Sequence, residues 1–443
     1  MTGPARTRAV TAARRSEYRR GIGPLSGALF VYAGSPIILL QTNSIFVAPE
    51  MKATGLSATA VTIGPIITLT LGVLQPVVGW LAQRYPPRRF ALIALVGFAV
   101  GLIAFGTFPP SFGMFWGLGV YTGVVGALAY WATLSRFLSL WFRRNLGIAI
   151  GIVGGAASLL PLAAIPVMSH FIYSGGGWRA GYWTLFAFVV VIAIPIAFAL
   201  FREPKEPIFA DDAALRVGGP AADERGTADE ISGLPLHKIV KDGRFWTMLL
   251  AFALVTVGAG GFISNIAPIL IGRGFSPALT TGLSMAILVG VLLGRLSGGL
   301  MIDRFWPYAA PLVIFCLSGI GAILTVGLPV GTATVVMWAA VIALGLSQGA
   351  EGDFSSFFLL REFGARHFGV INGWAVFVTS IGLFIGGFAV PFVRDLTGSY
   401  TGVAAVTALF YFAGALVCLV TGFLSVRAHR AGGTVFAGRG AEV

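Results

Sequence analysis

Apolar residues run through this chain in long unbroken stretches, and polar ones gather between them. Twelve stretches approach or exceed the roughly 20 residues that an α-helix needs to cross a bilayer. They are 23–47, 57–81, 90–108, 113–137, 146–171, 181–201, 246–270, 279–301, 309–328, 332–358, 369–392 and 401–425. A transmembrane barrel would show short segments of alternating hydrophobicity instead. The continuous runs predict an all-α membrane protein with twelve transmembrane helices.

Composition agrees with the pattern. Hydrophobic residues make up 56% of the 443 and charged residues only 11%, against about 25% charged in a soluble domain. The 61 glycines suit close helix packing in lipid, where water no longer drives association. The net charge of +13 points to cytoplasmic loops, which are enriched in Lys and Arg, and not to nucleic acid. Cys316 and Cys418 both lie in apolar runs and suggest neither a disulfide framework nor a metal site.

Arginine and lysine also set the expected orientation. The first twenty residues, MTGPARTRAVTAARRSEYRR, are basic and lack an apolar core, so 1–22 reads as a cytoplasmic tail. With that end inside, Arg84, Arg88, Arg89, Arg143, Arg144, Arg304, Arg361 and Arg366 fall in inner loops. Lys52, Arg179, Arg273 and Arg394 fall outside. Both ends are then cytoplasmic, in a cell (inner) membrane. Residues 202–245 contain EPKEP, DDAAL and ADERGTADE, which reads as a flexible cytoplasmic linker. It divides a six-helix bundle at 23–201 from a second at 246–425, with a basic tail at 426–443.

The two halves repeat. FRRNLGIAIG (Phe142–Gly151) aligns with GARHFGVING (Gly364–Gly373), so that Gly147 and Gly151 match Gly369 and Gly373 at a shift of 222 residues. GWLAQRY (Gly79–Tyr85) aligns with GLMIDRF (Gly299–Phe305) at a shift of 220. Six helices per repeat leave both copies in one orientation. Such a parallel repeat suits alternating access around a site between the halves.

These stretches resemble the major facilitator superfamily, whose loops after spans two and eight read G-x-x-x-D-R-x-G-R-R. Here the copies are GWLAQRYPPRR and GLMIDRFWP. Gln83 replaces the acid and Pro86 the glycine in the first copy, and the second lacks the basic ending. The resemblance implies that Asp303, Arg304, Arg84, Arg88 and Arg89 act in inner gates. A narrower resemblance is to the bacterial monocarboxylate and oxalate/formate-type branch. It rests on TGLSATAVTIGPIITLTLGVLQPVVGWLAQRYPPRR (Thr54–Arg89), GWRAGYW (Gly177–Trp183), EGDFSSFFLLREFGARHFG (Glu351–Gly369) and RDLTGSY (Arg394–Tyr400).

A charge at the bilayer centre costs about 2.5–3.5 kcal/mol on insertion scales, so the ionisable residues inside the spans carry information. The clearest are Arg295, in ILVGVLLGRLSGG, and the acids Glu351 and Asp353, in SQGAEGDFSSFF, whereas Arg136 lies near the inner end of span four and can snorkel to the interface. Arg295 precedes Asp303 by eight residues, or about 12 Å of helix. A guanidinium keeps its charge and matches a carboxylate with its planar fork. Monocarboxylate carriers have an arginine on span eight, which the resemblance places at Arg295. Their acid one turn earlier is Val291 here, and the span-eleven lysine of the oxalate/formate type is absent from 369–392. Two readings of Arg295 stay open: substrate binding, or a structural ion pair with Glu351 or Asp353. The acids are two residues apart and cannot share one helix face. They read as proton-coupling groups or as members of a gating network.

The repeat confines these charges to the second half: Arg295, Glu351 and Asp353 align with Gln75, Ala129 and Trp131. The first half would supply aromatic and amide walls from Tyr32, Gln41, Asn43, Tyr121, Tyr130 and Trp131, joined by Asn372 and Trp374 on span eleven. Packing or interfacial roles are the plainer reading for each aromatic. His170, at an outer span end, reads as interfacial. No nucleophile, metal cluster or phosphate loop has usable spacing, so no enzyme activity and no cofactor are expected. The expected function is secondary transport of a small organic anion, a monocarboxylate, linked to protons and carried out by a monomer. Export of hydrophobic compounds or drugs is the alternative, and a non-transporting ligand sensor is the alternative of another class.

Overall fold

The computed structural model describes residues 20–142, 146–204, 234–304, 306–329, 334–364, 367–398 and 400–430. The described chain is helical because hydrocarbon offers no partners to backbone N–H and C=O groups, and a helix satisfies them internally. In order the helices are α1 (20–33), α2 (Ile37–Thr42), α3 (Ser44–Thr54), α4 (Ala58–Val61), α5 (Gly64–Arg84), α6 (Pro87–Thr107) and α7 (Phe112–Leu128). There follow α8 (Trp131–Trp141), α9 (Leu146–Phe171), α10 (Gly177–Phe188), α11 (Ile194–Leu200), α12 (Leu236–Lys241), α13 (Gly243–Ile263) and α14 (Ile266–Gly272). The last are α15 (Pro277–Arg304), α16 (Ala309–Gly327), α17 (Thr334–Phe363), α18 (Phe368–Thr397) and α19 (Thr401–Arg430).

Ten stretches of the described residues are long and apolar enough to cross a membrane. One of them, Ala149–Leu200, runs to 52 residues, too long for one crossing. It turns at Gly175 and Gly177, whose φ angles of 109° and 67° suit glycine alone. The predicted span at 23–47 is not one helix either. It breaks around Pro36, which has no N–H and restricts Ser35 before it, and again at Asn43, between α2 and α3. The predicted span at 113–137 breaks between α7 and α8. With the long stretch divided and the broken first span added, the described residues hold twelve candidate crossings.

Helix ends are built from local chemistry. Ser111 Oγ accepts from Met114 N at 3.1 Å, and Asp242 Oδ1 accepts from Arg244 N at 2.9 Å, each satisfying an N–H that the first turn leaves open.

The chain forms two compact units. The first takes Met1–Thr42 and Leu74–Ala222; the second takes Asn43–Val73 and Asp223–Val443. In the first, the rings of Phe105 and Tyr182 stack with centroids 4.6 Å apart, joining α6 to α10. In the second, α15 and α17 come into backbone contact. A Cβ on Gly349 would run into the carbonyl oxygen of Val291 and lie 2.9 Å from Arg295 N. Such proximity is possible only where small residues line the interface.

Candidate functional site

In the second unit the tight α15–α17 contact places the three intramembrane charges together. Arg295 Nε lies 3.7 Å from Asp353 Oδ2, and their side chains are 27% and 51% exposed. Nε is itself buried and makes no hydrogen bond. Glu351 is buried on the same helix as Asp353, within reach of the charges of both Asp353 and Arg295. Gln348, one turn before Glu351, has a buried Oε1 with no hydrogen-bond partner. Arg295 is thus held beside a carboxylate with hydrogen-bonding capacity unspent.

The first unit shows the aligned arrangement without charge. Gln75, the counterpart of Arg295, is buried and donates from Nε2 to Ala127 O at 3.3 Å, two residues before the counterpart of Glu351. Three of the aromatic candidates meet here. Tyr32 lies 5.2 Å from Trp131 and 6.0 Å from Tyr130, and Tyr130 lies 6.3 Å from Trp131, centroid to centroid. Tyr32 is buried on α1, and the other two flank the α7–α8 break.

The remaining candidates are dispersed. Tyr121 faces α6, its hydroxyl donating to Gly97 O at 2.9 Å. Gln41 is half-buried on α2. Asn43 is buried in the second unit, its Nδ2 without a hydrogen-bond partner. Asn372 Oδ1 accepts from Ser356 Oγ at 3.2 Å, and Trp374 is exposed against Phe377. Arg84 covers the Trp80 ring at 3.9 Å. Arg88 donates to Phe198 O at 2.9 Å, and its backbone N–H donates to Glu203 at 3.2 Å. Arg89 is exposed. Asp303 and Arg304 end α15, and their side chains lie outside the described residues.

A second charged cluster in the same unit was not singled out in the sequence. Glu362, 1% exposed near the end of α17, accepts from Arg244 at 3.0 Å, from Tyr308 at 2.9 Å and from Ser425 at 2.7 Å. Arg244 also pairs with Asp242 at 2.7 Å. Burial alone would raise the Asp242 carboxyl; the side-chain and backbone hydrogen bonds of Arg244, and its charge, hold it below the usual carboxylate range. Burial, with the Glu362 charge beside it, pushes the Tyr308 hydroxyl well above its ordinary value. Four helices, α13, α16, α17 and α19, meet at this cluster or border it. Glu50 is a further buried acid, on α3. Among the described residues no group of three or more His, Cys, Asp or Glu could hold a metal ion.

Long apolar helices in two units, with a few charges kept inside the spans, define a multi-pass membrane protein. The family profile of the Major Facilitator Superfamily matches residues 25–387, and the chain belongs to that superfamily. Its relatives include monocarboxylate transporter 13 of Bos taurus, 23% identical, with 78% of this chain and 76% of that one covered. An uncharacterised 38 kDa protein of Thermoproteus tenax is 26% identical over 88% of this chain and 93% of its own. Among solved structures, a bacterial homologue of the lysosomal transporter Spinster superposes with a TM-score of 0.63 at 17% identity. That match covers 92% of this chain and 96% of the other, and it establishes the fold.

Proposed function

We propose that this transporter carries a small organic anion, a monocarboxylate, by alternating access, and that its transport is coupled to protons. The observation that carries the reading is Arg295: a guanidinium inside an apolar helix with Nε buried and without a hydrogen bond. An unspent donor of this kind replaces the water that a carboxylate loses on leaving solution. Asp353, 3.7 Å away, balances the charge when the site is empty and yields Arg295 when an anion arrives. Glu351, buried beside the pair, is the group that takes up and releases the proton. The likeness to monocarboxylate transporter 13 of Bos taurus supports the substrate class. Both chain ends are assigned to the cytoplasm of a cell membrane, on the Arg and Lys bias between loops.

The test is uptake of a panel of labelled monocarboxylates into proteoliposomes, with and without an inward proton gradient, for the parent protein and Arg295→Ala. Proton-stimulated uptake that the variant loses is the expected result. A parent protein that moves none of the acids sinks the reading. A second reading, export of hydrophobic compounds, draws on the Tyr32–Tyr130–Trp131 cluster and predicts activity indifferent to Arg295.

A further inference from the structure

Two of the sequence motifs quoted above have no part in the anion site, and they touch each other. TGLSATA (Thr54–Ala60) opens α4, and RDLTGSY (Arg394–Tyr400) closes α18. Asp395 Oδ1 accepts from Ala58 N at 3.1 Å, and Oδ2 accepts from Thr59 N at 3.0 Å. Ser57 Oγ accepts from Ala60 N at 3.3 Å, so three N–H groups of this turn are satisfied by two side chains. Arg394 Nη1 donates to Asp395 Oδ1 at 3.2 Å. Gly398, at φ 71°, stops α18 and returns its N–H to Arg394 O at 2.8 Å. The Tyr400 ring then lies 3.2 Å from where a Cβ of Gly272, the last residue of α14, would stand. One short motif therefore fastens both α4 and the end of α14.

Residues 43–73 form a strap with an unusual attachment. They belong to the second unit, yet the chain on either side of them, up to Thr42 and from Leu74, belongs to the first. The second of these junctions falls inside the continuous helix α5. Small residues line the seat of the strap on α18: a Cβ on Gly72 would run into Ser380, and one on Gly387 would meet Pro65 at 2.6 Å. Small residues on both sides let the strap and α18 approach closely. At the α4 end the fastening is polar. The Asp395 side chain is 19% exposed, so water can replace the two backbone donors when the contact opens.

We propose that Asp395 is a releasable clasp: it fastens the 43–73 strap to α18 in the state seen here and lets go of it in another state of the transport cycle. The proposal rests on the transporter reading for its purpose, and its test needs no substrate. Asp395 acts through the backbone of α4 and is a positioning residue.

The test uses the full chain in proteoliposomes with Cys316 and Cys418 replaced by alanine and a reporter cysteine at Val61, which is fully buried in α4. Labelling by a membrane-impermeant maleimide is followed from the side to which α4 faces. Removing the two charge-assisted bonds with Asp395→Ala should speed labelling about tenfold. Asp395→Asn keeps one acceptor oxygen and should fall between, and Asp395→Glu should stay near the parent. A second reporter, Ala322→Cys in the buried part of α16, should not change. In a Thr59→Cys, Asp395→Cys pair, oxidation should suppress labelling at position 61 and reductant should restore it. Unchanged labelling in Asp395→Ala overturns the clasp, and so does an equal rise at both reporters, which would mark general loosening. A protein that shows the expected pattern but carries no monocarboxylate keeps the clasp and loses the substrate assignment.

Discussion

Arg295 Nε and Asp353 Oδ2 stand 3.7 Å apart across α15 and α17, close enough to attract and too far to hydrogen-bond. Both side chains are partly exposed, at 27% and 51%, so the pair is open to solvent on one side. The looser geometry suits a pair that a third charged group can enter. If Arg295 binds the substrate carboxylate, Arg295→Ala should weaken half-saturation by roughly ten- to hundredfold, the equivalent of about 1.5–3 kcal/mol for a hydrogen bond to a charged group. The exchange Arg295→Asp with Asp353→Arg separates the two readings. It should restore folding without restoring uptake; recovery of uptake would mark the pair as structural.

Glu351 is tested by its proton. It is buried beside Arg295 and Asp353, so its charge state and theirs are linked through short-range electrostatics. Glu351→Gln keeps the shape and removes the titration. Its uptake should persist in exchange assays and lose its response to an imposed pH gradient. Uptake that still follows the gradient in Glu351→Gln would move the coupling to another group.

The three charges of this site were legible in the sequence because hydrocarbon makes them conspicuous: Arg295, Glu351 and Asp353 interrupt runs where a charge is costly. The twelve-crossing architecture was legible for the same reason. The Glu362 cluster was not. Glu362, Arg244 and Tyr308 sit at the ends of spans, where charged and aromatic residues are ordinary. What sets Glu362 apart is 1% exposure, a tertiary property. A usable signal did exist, in that an acid near the end of one helix shares a membrane side with an arginine at the start of another. The break at Pro36 could also have been anticipated from the missing N–H. The aromatic candidates divided because type and depth do not fix direction: Tyr32, Tyr130 and Trp131 converge, whereas Tyr121 spends its hydroxyl on Gly97.

The Glu362 cluster should govern stability. Glu362→Ala leaves Arg244 with one carboxylate partner in place of two and strips the acceptor from Tyr308 and Ser425. Breaking a buried pair in this way costs about 3–5 kcal/mol, which in detergent should appear as a clear drop in melting temperature. Glu362→Gln keeps an acceptor oxygen and should lose less. A melting temperature unchanged in the alanine variant would show that the cluster contributes nothing net.

The α15–α17 seam gives the last prediction, through two glycines three residues apart on the same helix. At Gly349 an added Cβ would run into Val291 O and lie 2.9 Å from Arg295 N, whereas at Gly352 nothing lies within 4 Å. Both are helical, so alanine improves intrinsic helix propensity equally at either position, by about 1 kcal/mol on scales measured in water. Any difference between them is then steric. Gly352→Ala should melt at or slightly above the parent temperature and keep its uptake. Gly349→Ala must push the helices apart, at a cost of about 1–3 kcal/mol for overpacking. The displacement falls on the backbone of Arg295 itself, so uptake should fall further than stability does. Equal behaviour of the two variants would mean that α15 and α17 are not in backbone contact at Arg295, and the geometry of the anion site would fall with that contact.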